Sequence, residues 1–154
     1  MNKFWGHLKT ITHHRHLVMR GCFRMGLIWQ GLTHDLSKYS PTEFLAGVRY
    51  YQGDRSPNTA EREANGYSLA WMHHKGRNRH HFEYWTDLSP KTRTYEPVDM
   101  PVRYLCEMVA DRIAACKTYQ GAAYTDASPL QYLDRANESR LVHPQTMKRL
   151  RFLL

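Results

Sequence analysis

Residues Gly31–Phe44 read GLTHDLSKYSPTEF, which places a histidine and an aspartate side by side at His34 and Asp35, with a lysine at Lys38. A divalent metal ion binds neutral imidazole and ionised carboxylate ligands, and this pair supplies one of each. Neighbouring residues of a helix point about 100° apart, so both can bind one ion only beside a helix end or bend. The glycine at Gly31 is compatible with such an end.

The same stretch also contains the start of a helix. Ser40 has the position of an N-cap, Pro41 the first helical position and Glu43 the position of the partner in a capping box. Comparable starts are predicted at SPLQYL, capped by Ser128, and at DMPVRYL, capped by Asp99.

The remaining pattern predicts an all-α, single-domain helical bundle over residues 1–154, with about five to seven helices. A chain of 154 residues is long enough to bury one hydrophobic core. Strands are not expected, because no segment alternates apolar and polar residues with β-branched enrichment. The segment KTRTYEP, residues 91–97, is predicted to be a solvated loop.

The first helix is predicted from about Lys3 to Trp29. A wheel of about 100° per residue places His14 at the edge of its apolar stripe, whereas His13 and His16 face the opposite side. Arg15 falls inside the apolar stripe, which predicts either contact with a buried anion or an irregular helix at that point.

A long helix is predicted from about Pro101 to Tyr119, apolar on nearly every side as a central bundle helix should be. Asp111 lies on one of its apolar stripes, where an ionised carboxylate is costly unless a cation or hydrogen-bond donors compensate it. Asp111 and the core-facing His14 are therefore the natural further ligands for an ion bound by His34 and Asp35.

The composition predicts a basic cytoplasmic protein. Lys and Arg outnumber Asp and Glu by 22 to 14, and the formal net charge of +8 attracts anions such as nucleotides, nucleic acid or acidic lipid. No apolar run is long enough to span a membrane, and the first residues lack the features of a secretory signal. Cys22, Cys106 and Cys116 form no CxxC pair and are predicted to be buried free thiols.

The order His14, His34-Asp35, Asp111 resembles the HD-domain superfamily of metal-dependent phosphohydrolases, which are all-helical. HDLSK is similar to the HD-x-x-K form found in several branches of that superfamily. HRHLV, GLTHDLSKYSPTEF, AWMHHKGRNRHHFEYW and VADRIAA look like a family of uncharacterised small bacterial and phage proteins, over about residues 7 to 135. The resemblance implies an HD-domain-like bundle in which His14, His34, Asp35 and Asp111 bind a first metal ion.

Two-metal branches of the superfamily have additional histidines between the HD pair and the final aspartate, where this chain has HHKGRNRHH, residues 73–81. One member of each doublet is expected to bind the second ion, and the sequence does not decide which. The predicted metal ligands are His14, His34, Asp35, His73, His74, His81 and Asp111. The expected cofactor is one or two divalent ions of Mn, Fe, Mg, Co or Zn.

The chemistry implied by this ligand set is hydrolysis of a nucleotide or another small phosphate ester by metal-activated water. Asp35 and Lys38 are the predicted catalytic residues, since Lys38 lies one helical turn from His34 and can neutralise phosphate charge. The predicted substrate contacts are Lys38, Arg77, Asn78 and His80, with Arg79 as a further candidate.

Two alternatives remain open from the sequence. Some HD-superfamily members hold a mixed-valent di-iron centre and oxidise substrates with O₂, and the extra histidines suit two irons equally well. The second alternative is a non-catalytic basic helical module that binds nucleic acid or a protein partner. The sequence has no zinc-finger spacing and no reader motif to support this alternative. Substrate identity and oligomeric state are not determined by these patterns.

Overall fold

The computed structural model describes residues 2–136 and 140–154. Within these residues the chain forms eight α-helices and one small sheet, so the predicted all-α class is confirmed. In chain order the helices are α1 (Lys3–Arg24), α2 (Ile28–Thr33), α3 (Pro41–Tyr50), α4 (Pro57–Asn65), α5 (Leu69–Lys75), α6 (Val102–Gln120), α7 (Ser128–Ala136) and α8 (Pro144–Leu153). Short 3₁₀ turns cover Leu36–Tyr39, Phe82–Tyr84 and Gly121–Ala123. No helix of the described chain is long and apolar enough to cross a membrane.

The prediction of one helix from Lys3 to Trp29 is wrong in its last turn. The helix α1 ends at Arg24, and Gly26 takes a φ of 73°, a left-handed conformation that an α-helix does not contain. The helix α2 then folds back against α1, where a Cβ on Gly31 would lie 3.0 Å from the Cβ of Cys22. This break also explains why the helices outnumber the five to seven that were predicted.

Close packing of α1 against α6 places the two predicted core-facing ligands side by side. Val18, Cys22, Ala110 and Ala114 form a buried apolar cluster between these helices. A Cβ on Gly21 would lie 3.0 Å from the Cβ of Ala110, so small residues set the approach of the two helices. The His14 side of α1 consequently faces the Asp111 side of α6.

The larger apolar cluster lies on the other side of α6, against α7 and α8. It consists of Phe82, Met100, Leu105, Met108, Val109, Leu133, Val142 and Leu150. The predicted bounds of the long helix are confirmed to within one residue at each end, since α6 runs from Val102 to Gln120.

The predicted helix starts lie close to the observed ones, but the predicted capping side chains do not make the expected hydrogen bonds. Ser40 is the N-cap of α3 and Pro41 its first residue, but the Ser40 side chain makes no capping hydrogen bond. Glu43 is buried and turns toward two histidines instead of completing a capping box. Ser128 is the first residue of α7 rather than its cap, and its hydroxyl accepts a hydrogen bond from the backbone N–H of Thr125.

Asp99 does not cap α6, whose N-cap is Pro101. Its carboxylate instead accepts hydrogen bonds from the hydroxyl of Thr146, at 2.7 Å, and from the guanidinium of Arg149. The prediction failed because a partner from the distant α8 competes with the local backbone for this side chain.

The expectation of no strands is wrong for one exposed hairpin. Strand β1 (Thr86–Leu88) pairs antiparallel with β2 (Tyr95–Pro97), with Asp87 opposite Glu96. Three-residue strands are too short for alternation to be visible in the sequence. The segment KTRTYEP therefore contains a strand, although its side chains are exposed as predicted, apart from the half-buried Pro97.

The cysteine prediction is confirmed in its chemistry and partly in its burial. All three cysteines are free thiols, with Cys22 and Cys116 buried and Cys106 half-buried. Burial raises the pKa of the Cys22 thiol to about 11, so this side chain packs as a small apolar group in the core.

Replacing Leu105 in the middle of the larger cluster should destabilise the fold strongly. Leu105 is fully buried, so Leu105→Ala leaves a cavity and is expected to lower the free energy of unfolding by about 2–5 kcal/mol. Leu45→Ala is the matched control, because that leucine is 63% exposed. Urea denaturation of both variants measures the difference, and equal losses would contradict this placement of the core.

Candidate metal centre

His34 and Asp35 lie at the end of a helix, which is the position that allows two adjacent side chains to bind one ion. The helix α2 ends at Thr33, His34 follows as its C-cap, and Asp35 takes a left-handed conformation with φ 55° and ψ 24°. Aspartate is one of the few residues with a side chain that adopts this conformation readily. The resulting turn directs both side chains inward, where His34 is 2% and Asp35 1% exposed.

Arg15 holds this turn against α1. Its Nε donates to the carbonyl of His34 at 3.1 Å, and its Nη2 donates to the carbonyl of Leu32. The irregular position of Arg15 on the apolar stripe is thus explained by backbone carbonyls rather than by a buried anion. These hydrogen bonds fix the turn at His34 and Asp35, the HD turn, against the helix that carries His14.

The first ligand group consists of His14, His34, Asp35 and Asp111, each with one donor atom within 4.8 Å of the others. Nε2 of His34 lies 3.3 Å from Oδ2 of Asp35, and Nε2 of His14 lies 3.8 Å from the same oxygen. Nε2 of His14 is also 2.9 Å from Oδ1 of Asp111, outside the geometry of a ring N–H hydrogen bond. The structure therefore brings together the four residues that the sequence placed in one site.

A second ligand group consists of Asp35, His74, His80 and His81. Nε2 of His74 and Nε2 of His80 lie 3.3 Å and 3.4 Å from Oδ1 of Asp35. Each oxygen of the Asp35 carboxylate thus faces a different group of imidazoles. This arrangement is the one that a carboxylate bridging two ions needs.

Two buried glutamates lie at the Nδ1 atoms of these imidazoles and orient the rings. Glu107 lies 2.9 Å from Nδ1 of His34 and 3.1 Å from Nδ1 of His80, and Glu43 lies 2.7 Å from Nδ1 of His74. When these rings are neutral, as metal binding requires, we assign the ring proton to Nδ1, since a carboxylate can only accept, and this leaves the Nε2 lone pair facing Asp35. His34, His80 and Glu107 also lie close enough together to hold an ion. Because Nδ1 of His34 has hydrogen-bond geometry toward Glu107, we assign this glutamate to the orientation of the histidines.

The donor atoms fit a divalent cation. Among the described residues, the buried Nε2 atoms of His14, His34, His80 and His81 make no hydrogen bond, and neither does Oδ1 of Asp35. Mixed imidazole and carboxylate donors suit Mn²⁺, Fe²⁺, Co²⁺ and Zn²⁺. Four carboxylates also converge here, in a chain whose formal net charge is +8: Asp35, Glu43, Glu107 and Asp111.

The electrostatics keep the central carboxylates ionised. Burial would raise the pKa of Asp35, but the His34 ring and the Lys38 ammonium hold it well below its usual value. Burial likewise opposes ionisation of Asp111, whose pKa the rings of His14 and His34 hold well below its usual value. Both side chains are therefore in the form that binds a metal ion.

Lys38, the predicted catalytic cation, lies beside the carboxylate of Asp35. Its Nζ is 2.6 Å from Oδ2 of Asp35, and 27% of its side chain is exposed. Burial alone would lower the pKa of Lys38, but the Asp35 carboxylate raises it above its usual value. The ammonium group is thus charged and lies beside the ligand groups.

The histidine doublets separate into different roles. His74 belongs to the second group, whereas His73 directs Nδ1 to Glu43 at 2.6 Å and belongs to no ligand group in the described structure. His80, predicted to contact substrate, and His81, predicted to bind metal, both lie in the second group. The helix α5 ends at Lys75, so the direction of the second doublet does not follow from the period of the helix that carries the first.

Two further predicted substrate residues bond to the chain around the second group, and Nδ2 of Asn78 also lies 3.2 Å from Nδ1 of His74. Arg77 is exposed, and its Nη1 donates to the carbonyl of His73 at 3.2 Å. Asn78 donates from Nδ2 to the hydroxyl of Ser37 at 2.9 Å and to the carbonyl of His74 at 2.8 Å. Asn78 therefore joins the HD turn to the chain that carries the second group, which is a structural role.

Sequence reasoning missed both glutamates. Glu43 had a local explanation as a capping residue, and that explanation was wrong. Glu107 lies four residues before Asp111 on the same helix, so the two carboxylates share one face of an otherwise apolar segment. That spacing was the signal that could have revealed Glu107.

A cavity of about 730 Å³ adjoins the centre. Six residues of the site line it: His14, Lys38, Glu43, His74, His81 and Asp111. Cavities of a few hundred cubic ångströms are typical of small-molecule sites. The ligand groups are therefore accessible to a compound of that size.

Residues 3–154 match the model of DUF5662, which is described as a family of unknown function. The chain belongs to this family. No curated protein and no solved structure shows significant similarity to it. In this member of DUF5662, the clustered histidines and carboxylates are the feature that indicates a function.

The two neighbouring histidines on α5 should differ in their effect on metal binding. His74→Ala removes a ligand of the second group, so we expect the metal content per chain to fall by about one ion in a two-ion centre. His73→Ala is the matched control, because His73 also bonds to Glu43 but lies outside both groups. Metal analysis after gel filtration measures both, and equal losses would contradict the assignment.

Metal binding should weaken in acid. Imidazole binds a metal ion only when neutral, and protons compete below a pH of about 6.5. Burial would lower the pKa values of His34 and His74, but the Asp35 carboxylate raises both, so competition at these two rings begins at a higher pH. We expect metal occupancy to fall as the pH drops from 8 to 5, with circular dichroism confirming that the fold persists. Constant occupancy over that range would argue against histidine ligation.

Proposed function

We propose that this protein is a metal-dependent phosphohydrolase that acts on a nucleotide or another small phosphate ester, as its resemblance to the HD-domain superfamily implies. The observation that carries the proposal is the Asp35 carboxylate, which faces one imidazole group with each oxygen and the Lys38 ammonium with one of them. A bridging carboxylate suits two divalent ions, and a cation beside them suits an anionic substrate.

Divalent ions bound in both groups would lower the pKa of a water molecule to about 7 and contact the phosphate oxygens. The residues of the protein contribute by holding the ligand atoms in position. Asp35 and Asp111 provide anionic ligands from different segments, while Glu107 and Glu43 fix the direction of the imidazoles behind them. Such fixed orientation matters because misplaced catalytic groups lose much of their effect.

Lys38 is the residue that we assign to the phosphate. Its charged group lies at the cavity, next to the carboxylate shared by the two ligand groups. A phosphate oxygen at that point would be neutralised by the ammonium as negative charge builds up during hydrolysis. The formal net charge of +8 further favours encounter with an anion.

The imidazole-rich second group also favours a di-iron oxygenase as a second candidate. It has three histidines, His74, His80 and His81, grouped with Asp35, and two of them, His74 and His80, face the same carboxylate oxygen. Imidazole with carboxylate is a ligand set that iron accepts as readily as manganese does. Iron bound as purified, with an electron paramagnetic signal on partial reduction, would favour oxidation by O₂ over hydrolysis.

The phosphohydrolase proposal is tested with purified protein loaded in turn with Mn²⁺, Co²⁺, Mg²⁺ and Fe²⁺. Nucleotides and generic phosphoesters such as p-nitrophenyl phosphate are the substrates. We expect phosphate release that depends on the metal. No release with any substrate, when metal analysis confirms a loaded centre, would sink the proposal.

Lys38→Met should lower kcat/KM by about 100-fold while metal remains bound, because it removes one charge that stabilises the transition state. Arg77→Met is the matched control, since Arg77 is exposed and bonds only to a backbone carbonyl among its described contacts. Steady-state kinetics of both variants, with metal analysis, measure the difference. Unchanged kinetics in Lys38→Met would remove this lysine from the reaction.

A further inference from the structure

The cavity extends beyond the metal centre along α1 to a second polar residue. His7, Ile11 and His14 all line it, and His7 precedes His14 by seven residues on the same face of the helix. Two helical turns separate them, which is about 10 Å along the helix axis. A ligand that contacts both ends therefore needs an organic part several bonds long.

His7 is buried without the hydrogen bonds that such burial normally requires. It is 5% exposed, and its Nδ1 has no hydrogen-bond partner among the described residues. Aromatic neighbours pack around its ring, with Phe44 at 5.3 Å and Tyr51 at 5.9 Å between ring centroids. Buried polar atoms in native proteins are nearly always satisfied, so an unsatisfied one that lines a cavity is a candidate to bind a ligand.

The packing of α3 makes room for this imidazole. A Cβ on Gly47 would lie 2.2 Å from Nε2 of His7, which is closer than any side chain allows. Gly47 also lines the cavity. The missing side chain at Gly47 therefore lets the ring of His7 lie in the cavity wall.

The aromatic rings that pack on His7 are neutral, whereas charged residues that include Asp54 and Arg62 also line the cavity. Burial, followed by the charge of Lys38, lowers the pKa of His7 to about 4, so the ring is neutral at physiological pH. Thr10 and Tyr51 lie beside it, with their hydroxyl groups 2.9 Å apart. Arg55 also lines the cavity, but both its Nη atoms bind the carboxylate of Glu63, at 2.7 and 2.8 Å. A neutral donor and acceptor here matches a hydroxyl or amide better than a second phosphate.

We propose that His7 determines specificity by hydrogen bonding to a hydroxyl or amide group on the organic part of the substrate, whose phosphate lies at the metal centre. This rests on the proposed function, because the phosphate end of the substrate is assigned there. The substrate class is then a phosphate ester of a polar, hydroxylated alcohol, rather than an apolar ester or a compound with a second phosphate at this end. His7 belongs to neither metal-ligand group among the described residues, so its role is separate from metal binding.

Binding measurements with phosphonates test this role without turnover. The probes are methylphosphonate and the methylene phosphonate analogues of glucose 6-phosphate and adenosine 5′-monophosphate, none of which releases phosphate by ester hydrolysis. Calorimetry is performed on protein loaded with the metal that it retains through gel filtration. We expect at least one of the two larger probes to bind wild type more tightly than methylphosphonate does.

His7→Leu keeps a similar side-chain volume and removes the hydrogen-bonding group. It should reduce the extra affinity for the larger probe by about tenfold, the factor typical of one hydrogen bond, and leave methylphosphonate binding unchanged. His7→Asn should restore part of the gain, because an amide again donates and accepts. The matched control is His13→Leu, on the exposed opposite side of α1.

The outcomes separate the two proposals. Wild-type protein that binds all three probes equally, or a His7→Leu variant that retains the full gain, would overturn the role of His7. A parallel loss for every probe would also overturn it, because His7 would then act on the centre or on the fold. Phosphate release from the nucleotides and phosphoesters by wild type is measured alongside, and its absence with every substrate would overturn the phosphohydrolase while the binding comparison still decides His7.

Discussion

Asp35 carries a carboxylate that is only 1% exposed, and an ionised group in that position destabilises a fold unless cations or donors surround it. The surrounding segments supply them from several directions. Lys38 approaches to 2.6 Å within the same turn, while His34, His74 and His80 lie 3.3 to 3.4 Å away. The HD turn, the end of α5 and the loop that follows it must therefore converge on one point. Their arrangement in the bundle follows from that requirement.

Two glutamates extend this constraint outward. Glu107 on α6 and Glu43 on α3 each accept from more than one side chain, and both are buried. Burial would raise the pKa of Glu107, but the adjoining rings of His34 and His80 lower it to about 2. The glutamates thus remain ionised and turn the imidazoles toward Asp35. Such fixed orientation of the imidazoles favours tight binding of a cation.

Helical periodicity predicted the class of the fold and the long helix α6 to within one residue at each end, because burial on one face repeats every few residues. Helix starts were less predictable in their details. Glu43 and Asp99 both have side chains that satisfy a local capping rule, yet each binds a partner from a distant segment. Local rules compare a side chain only with its own backbone. The folded chain adds competitors that the local sequence does not show.

The sequence by itself determined, from the period of each helix, that His14 on α1 and Asp111 on α6 face the core. The adjacent pair of His34 and Asp35 identified where these two side chains would meet. Tertiary structure alone decided how the histidine doublets are used, with His74 but not His73 in the centre and both members of the second doublet included. The physical reason is that α5 ends before the second doublet, so side-chain direction no longer follows the helical period. The glutamates that bond to these rings also come from helices distant in sequence. The spacing of Glu107 and Asp111 places both on one face of a helix, but it does not show which histidines they meet.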